Sequence, residues 1–278
     1  MRALAQYTMI GRRQAILASG LCGLIPLFNL LAPALVALVC LRHGPRETLI
    51  VAAWAALPLI GWALAGDVIP LVLLIGVPGL AMVLRRTASW SYTLLAAILV
   101  GVGAELVLRS RPDILAVMTE MLEAFLATGA LAEQPEITSD MLRSVLVSLF
   151  GIMHMFLAIC LLMVARWWQA GLYNPGGFRQ EFHQLRVPPN VALLLVVMFL
   201  VASFSGTVLA GWSVYFMMPL FFAGLALVHG LVGLKKLSWL WLLAFYLLML
   251  NPLVAQLLSV AALIDSWYDF RSRVKPAR

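Results

Sequence analysis

Long apolar runs separated by short charged connectors dominate this chain and restrict what it can fold into. Only 11% of its 278 residues are charged, against roughly 25% in soluble domains, and a run of about 20 apolar residues can cross a bilayer. A transmembrane β-barrel would instead show segments of ~10 residues that alternate apolar and polar side chains. We therefore predict one integral membrane domain over residues 1–278, an all-α polytopic transmembrane helical bundle. About eight apolar stretches are predicted, at residues 14–41, 48–65, 68–84, 90–108, 144–168, 191–210, 212–233 and 237–264.

The positive charges lie mainly in the short connectors and at the two termini. Because basic residues in short loops favour the cytoplasmic side, the net charge of +7 indicates orientation and does not point to nucleic acid. We expect a multi-pass protein of the bacterial inner membrane, with the lipid bilayer as a partner, a cytoplasmic N-terminus and a basic tail over residues 266–278. The basic connector residues are Arg2, Arg12, Arg13, Arg42, Arg46, Arg85, Arg86, Arg166, Arg179, Arg186, Lys235 and Lys236.

The first and last apolar runs are each interrupted in the middle. Pro26, Asn29 and Pro33 interrupt the first run, and Asn251 followed by Pro252 interrupts the last. Proline removes a backbone donor and kinks a helix, and the residue before it leaves the α region. Each run is therefore either a hairpin or re-entrant segment of two short helices, or one tilted and kinked span. With a single span at each end, the basic connectors would not all fall on one side.

Residues 110–143 form an acidic connector with a pattern of its own. In PDILAVMTEMLEAFLATG the apolar residues recur at helical spacing, while Asp113, Glu120 and Glu123 stay off the stripe. We predict an extracytoplasmic amphipathic helix followed by a loop. This helix either lies as a lid across the mouth of the bundle or is a simple helical extension.

The most polar stretch, LYNPGGFRQEFHQLR, lies in a predicted cytoplasmic interfacial loop over residues 169–190. Asn174 followed by Pro175 matches an N-cap with proline at the first helical position. The helical spacing that follows places aromatic residues on one stripe and cations on the next, which predicts a helix with its aromatics toward acyl chains and its cations at phosphates. The candidate interfacial or partner-binding residues are Asn174, Pro175, Gly176, Gly177, Phe178, Arg179, Glu181, Phe182, His183 and Arg186.

The same loop carries a family resemblance. Its Asn174-Pro175-Gly176-Gly177-Phe178 segment, followed by Glu181-Phe182 and Arg186, resembles the central loop of the YybS-like family of uncharacterised bacterial membrane proteins. Leu41-Arg42-His43-Gly44-Pro45 and the closing segment from Asp265 to Arg271 agree with it, so the resemblance spans nearly the whole chain. It implies no established activity. The first hairpin and its turn are also similar to the substrate-binding subunits of energy-coupling-factor vitamin transporters, and more loosely to MreD-type cell-shape proteins.

Four polar side chains inside apolar runs are candidate substrate-binding residues: Glu105, Asn29, Asn251 and His154. An ionisable residue within a span is a functional candidate, yet Glu105 can also pair with Arg109 at i+4. His154 is either a hydrogen-bonded interior imidazole or a proton relay. Asn29 and Asn251 would line a shared polar pocket if the two broken ends pack together, or each caps its own break.

Enzyme signatures are missing from the sequence: it contains no HExxH, no GxSxG and no phosphate-binding loop. Asp265 and Asp269 are expected to form salt bridges with Arg271 and Arg273, and no metal site or cofactor is predicted. We therefore expect a small-molecule-binding or transport subunit, not an enzyme, that needs a partner membrane subunit or ATPase as its energy source. The alternative is a non-catalytic membrane scaffold that recruits a cytoplasmic or cell-envelope partner.

Overall fold

The computed structural model describes residues 2–127, 139–206 and 211–274, and within these ranges every regular element is a helix. The predicted all-α class is therefore confirmed for the described chain. A short 3₁₀ turn, Phe28–Leu30, lies between the second and third helices. The α-helices are α1 Arg2–Thr8, α2 Arg12–Leu24, α3 Leu31–His43, α4 Pro45–Leu64, α5 Ile69–Thr87, α6 Trp90–Arg109, α7 Pro112–Ala127, α8 Ser139–Tyr173, α9 Gly177–Gln184, α10 Pro189–Phe204, α11 Ser213–Leu234, α12 Leu240–Leu248, α13 Pro252–Tyr268 and α14 Phe270–Arg273.

Several of these helices are suited to crossing a membrane. Five of the described helices, α4, α5, α6, α8 and α11, are long and apolar enough to do so. Two bent pairs, α9 with α10 at 62° and α12 with α13 at 113°, raise the number to seven if each pair counts as one span. The architecture is compatible with a multi-pass membrane protein. The predicted number of about eight stretches is not confirmed as a number of spans.

The first apolar run is broken at Pro26 and Asn29 as predicted, whereas Pro33 lies in the first turn of α3 and does not interrupt it. After α2 the chain turns through Pro26 and Leu27, whose φ of 68° lies in the left-handed region, before α3 begins. Arg12 at the start of α2 donates to Glu47 at 2.8 Å, close to where α4 follows α3. Both ends of the run therefore lie at the same end of the bundle, as in a hairpin. Residues 32–41 of α3 are all buried, which fits a helix that is apolar on every side.

The last apolar run is broken between α12 and α13, and both helices pack against α11. α13 packs along α11, and a Cβ on Gly230 near the end of α11 would lie 3.0 Å from Nε of Arg271. Because α12 begins shortly after α11 ends, this run also starts and finishes at one end of the bundle. None of the residues in α12 is buried.

The bundle has two chemically different ends. At the basic end, Leu41 O accepts hydrogen bonds from Arg85 at 2.7 Å and from Gln169 at 3.1 Å, which joins the ends of α3, α5 and α8. This end also contains α9 and the last turns of α11 and α13. The opposite end, the distal end, contains Asp67 and α7.

The predicted amphipathic helix within residues 110–143 is present as α7. Ile114, Leu115 and Met118 pack against a small apolar cluster built by Val68, α6 and α8. Met121, which belongs to the same predicted stripe, is exposed, so the helix buries only part of that stripe. The loop predicted after the helix falls largely on residues 128–138 and lies outside the described residues.

Candidate functional site

Glu105 is buried on α6, and both of its carboxylate oxygens are hydrogen-bonded. Arg109 donates to Oε1 at 3.1 Å from Nε and at 2.8 Å from Nη2. The Trp212 indole and the Tyr215 hydroxyl donate to Oε2 at 2.9 and 3.0 Å. The i,i+4 pair is therefore formed, and it is joined by two donors from the α11 side that no local pattern indicated. A carboxylate with four such contacts has little remaining capacity for a ligand.

Tyr215 reaches Glu105 through a gap that two glycines leave between α6 and α8. A Cβ on Gly151 would overlap the Tyr215 hydroxyl, and a Cβ on Gly101 would lie 2.9 Å from the tyrosine ring. The phenol passes between the two helices because neither glycine carries a side chain. These four residues form a packed junction of α6, α8 and α11.

His154 is fully buried on α8 and bonds within its own helix. Its Nδ1 lies 2.7 Å from the carbonyl oxygen of Phe150, so the proton is assigned to Nδ1. Its Nε2 has no hydrogen-bond partner among the described residues. A proton relay needs a second group to receive the proton, so this geometry fits the interior imidazole better than the relay.

Asn29 and Asn251 do not come together. Asn29 is buried in the 3₁₀ turn, which packs on α2, α3 and α5. Asn251 is exposed at the start of α13, which packs on α10 and α11, and its Oδ1 accepts from the Leu253 amide at 3.0 Å. The shared polar pocket is therefore not formed in the described chain, and Asn251 caps its own break.

The loop over residues 169–190 begins differently from the sequence-based prediction. α8 runs on for longer than predicted, and Asn174 closes its end by donating to the Ala170 carbonyl at 2.8 Å. Asn174 and Pro175 form the turn, and Gly176 is the N-cap of α9. The predicted N-cap at Asn174 is therefore wrong, because the preceding helix continues up to that residue.

The aromatic stripe of α9 faces the protein. The Phe178 ring stands edge-on to Trp90 at 6.2 Å, and the Phe182 ring stands edge-on to His229 at 5.4 Å. Both phenylalanines pack against the main apolar core. The predicted aromatic stripe is therefore packed partly against the ends of other helices, and both side chains are half-buried instead of fully turned toward acyl chains.

Two ion pairs fasten this loop to the bundle. Glu181 accepts from Arg166 of α8, with the Nε atom at 2.9 Å. Arg186 pairs with Asp269 at 3.0 Å and donates to the carbonyls of Asp265 and its successor at 2.8 and 2.9 Å. Arg186 therefore holds the end of α13 and is not a free phosphate ligand.

The chain beyond α13 folds back on the same loop. Arg271 donates to the Asp265 carboxylate at 2.7 Å and to the Leu185 carbonyl at 3.0 Å. The predicted pair of Asp265 with Arg271 is thus confirmed. Asp269 pairs with Arg186 instead of Arg273, because α9 and the chain after it bring Arg186 beside the end of α13.

Two adjoining clefts open at the basic end between α9, α11 and their neighbours. The first, the aromatic cleft, has a volume of about 740 Å³. The second, the basic cleft, has a volume of about 840 Å³. Both are lined by Arg179 and His183, and a Cβ on Gly233 would lie 2.9 Å from Nδ1 of His183, so this ring rests directly on α11. The aromatic cleft is further lined by Trp167, Phe178, Phe182, His229, Lys236, Trp239 and Leu242.

The clefts contain cations that the rest of the described chain leaves without a carboxylate partner. Arg179 and Lys236 are both exposed, and neither forms an ion pair with a described residue. Arg179 was predicted from the sequence as a candidate binding residue. Lys236 was used only to assign the orientation of the chain, and Trp239 was not predicted. An aromatic residue three positions after a lysine pair at the end of a span is the signal that would have found them.

The residues predicted for the centre of the bundle line none of these clefts, and the described residues contain no group of three or more histidines, cysteines or carboxylates arranged to hold a metal ion. No protein-family model, no curated protein and no solved structure matches this chain. The resemblance to the YybS-like family stays a prediction.

Proposed function

We propose that this chain is the non-catalytic, small-molecule-binding subunit of an assembly in the bacterial inner membrane. Its binding site is the pair of clefts at the basic end, which faces the cytoplasm together with the N-terminus. The main support for this proposal is that Arg179 and Lys236 both line an open cleft. Neither cation has a carboxylate partner in the described chain.

The interior of the bundle supports placing the site at this end. Glu105 is occupied by four hydrogen bonds from neighbouring side chains, and His154 is closed within its own helix. Asn29 and Asn251 lie in different parts of the packing. A ligand at Glu105 would have to break existing contacts, and His154 is fully buried and lines neither cleft, whereas a ligand at the basic end would meet open space and unpaired charge.

A second function, the membrane scaffold, is favoured by the surface of α12. This helix has no buried residue, and Trp239, Trp241 and Leu248 are all more than half exposed. An apolar helix on the outside of a bundle is suited to packing against a partner membrane subunit, which a transport assembly would also need as its energy source. Cross-linking from a cysteine placed at Trp241 to a co-expressed partner would support the scaffold.

Native mass spectrometry of the purified protein tests the first function. We expect a bound small molecule that is retained in the variant Glu105→Gln and lost from the double variant Arg179→Gln with Lys236→Gln. Both cations are exposed, so the double variant is expected to fold, and its melting temperature would verify this. Loss of the ligand from Glu105→Gln alone would instead indicate that the ligand binds in the centre of the bundle.

A further inference from the structure

We propose that the ligand of the two clefts is an anionic phospholipid, with its phosphate at Arg179 and Lys236 and one acyl chain in the aromatic cleft. This inference rests on the function proposed above and names its ligand class. The clefts share Arg179 and His183, so a charged group at this boundary would lie beside apolar and basic surfaces at once.

The aromatic cleft has the chemistry of an acyl-chain site. Its lining includes Trp167, Phe182, Trp239 and Leu242. Trp239 and Leu242 belong to the segment around α12, which has no buried residue and therefore faces the apolar surroundings of the bundle. A chain leaving the bilayer beside α12 would enter the cleft without crossing polar protein. Because the acyl chain is already in an apolar environment in the bilayer, the cleft accommodates the chain and the charged groups supply the preference for an anionic lipid.

The phosphate position is set by charge. Arg179 and Lys236 are exposed cations without a described carboxylate partner, and a phosphate accepts hydrogen bonds from both residue types. In the basic cleft Arg186 and Arg271 are also present, but they are already engaged with Asp269 and Asp265. The Asp269 carboxylate in this cleft repels a second anion, which places the phosphate near Arg179 and the boundary rather than deep in the basic cleft.

The location of the site, at the end of the bundle where tryptophans and cations occur together, favours a lipid over a soluble phosphate. Tryptophan is enriched at the interface between acyl chains and headgroups, and Trp167 and Trp239 lie at the same end of the bundle as the two cations. Basic pockets between helices on the cytoplasmic side are suited to anionic headgroups. A soluble phosphate would use the cations and leave the aromatic cleft empty.

The test measures lipid binding to the full chain by native mass spectrometry in detergent. Phosphatidylglycerol is titrated as the anionic lipid, phosphatidylcholine as the zwitterionic lipid, and glycerol phosphate as the soluble headgroup. We expect phosphatidylglycerol to bind more tightly than either of the others. Arg179→Gln and Lys236→Gln should each weaken it about five-fold, as expected from the contribution of one basic residue near an anionic membrane surface.

Matched variants separate specific binding from general charge. Lys235→Gln and Arg86→Gln remove the same charge from exposed residues that do not line the clefts, and they should change the affinity less than two-fold. Trp239→Ala should weaken phosphatidylglycerol binding and leave glycerol phosphate binding unchanged. Added salt should weaken the wild-type interaction, because exposed charges are screened.

Three results would overturn the lipid proposal: equal binding of phosphatidylcholine, equal binding of glycerol phosphate, or equal losses in Lys235→Gln and Lys236→Gln. If a different co-purified molecule is lost from the Arg179 and Lys236 double variant while phosphatidylglycerol does not bind, only the lipid class is wrong. If neither a lipid nor a co-purified molecule depends on these two residues, the proposed function fails as well.

Discussion

The Tyr215 hydroxyl lies 3.0 Å from Oε2 of Glu105, so a carboxylate in the interior of the bundle is joined to α11 through a buried hydrogen bond. Trp212 donates to the same oxygen at 2.9 Å, and Arg109 occupies the other one. This arrangement gives Glu105 a structural role in holding α6 and α11 together. It also separates the most polar point of the interior from the clefts at the basic end.

Replacing Tyr215 with phenylalanine should destabilise the protein without affecting ligand binding. The change removes one of the four hydrogen bonds to a buried carboxylate, and a hydrogen bond to a charged group contributes about 1.5–3 kcal/mol to the free energy of unfolding. Thermal unfolding in detergent measures the effect, with Tyr92→Phe at an exposed position as the control. Unchanged stability together with lost ligand binding would show that Glu105 is a ligand group after all.

Replacing Gly151 with alanine should be more harmful than replacing another glycine of the same region. The new Cβ would overlap the Tyr215 hydroxyl, and such overpacking lowers the free energy of unfolding by about 1–3 kcal/mol. Gly103→Ala is the matched control, because nothing lies within 4 Å of its added Cβ. Alanine at that helical position should leave stability unchanged or raise it by up to about 1 kcal/mol. Equal effects in the two variants would contradict the packed junction.

Replacing Arg186 with glutamine should loosen the end of α13. The arginine donates to the backbone carbonyls of Asp265 and Ser266 and pairs with Asp269, and hydrogen bonds from charged groups contribute about 1.5–3 kcal/mol. Hydrogen exchange of the α13 amides should become faster in this variant. Arg13→Gln, which changes an exposed arginine at the same end, should leave that exchange unaltered.

The pKa of His183 should lie below the ordinary histidine value of about 6.5. Burial disfavours its charged form, and the neighbouring Arg179, His229 and Arg271 lower the pKa further. Because the unfolded chain then binds more protons than the folded one, stability from this group is present above pH ~6.5 and is lost as the pH falls toward the folded pKa. NMR titration of the imidazole should show the low pKa, and Arg179→Gln should raise it. An unchanged pKa in that variant would place Arg179 away from the ring.

Features that are set by neighbouring residues in the chain could be predicted from the sequence. The breaks near Pro26 and before Pro252 were predicted correctly because proline removes a backbone donor and disfavours helical geometry in the residue before it. Proline alone does not decide a break, since Pro58, Pro78 and Pro219 lie inside helices. The amphipathic helix α7 was predicted correctly because its periodicity is a property of the segment alone. The N-cap at Asn174 failed because it depended on where α8 ends, and a 35-residue helix overran the predicted boundary.

The apolar runs, the prolines and the positions of the charges are enough to indicate a bundle of apolar helices with interrupted ends and one polar, basic loop. Which charges are available for binding depends on the contacts that form in the folded protein. Glu105 and Tyr215 are 110 residues apart and Arg186 and Asp265 are 79 residues apart, so no local pattern indicates that they neutralise or bind each other. In the folded protein those groups form internal contacts, whereas Arg179 and Lys236 line an open cleft. Ion pairing depends on the distance between groups in space and not on their distance along the chain.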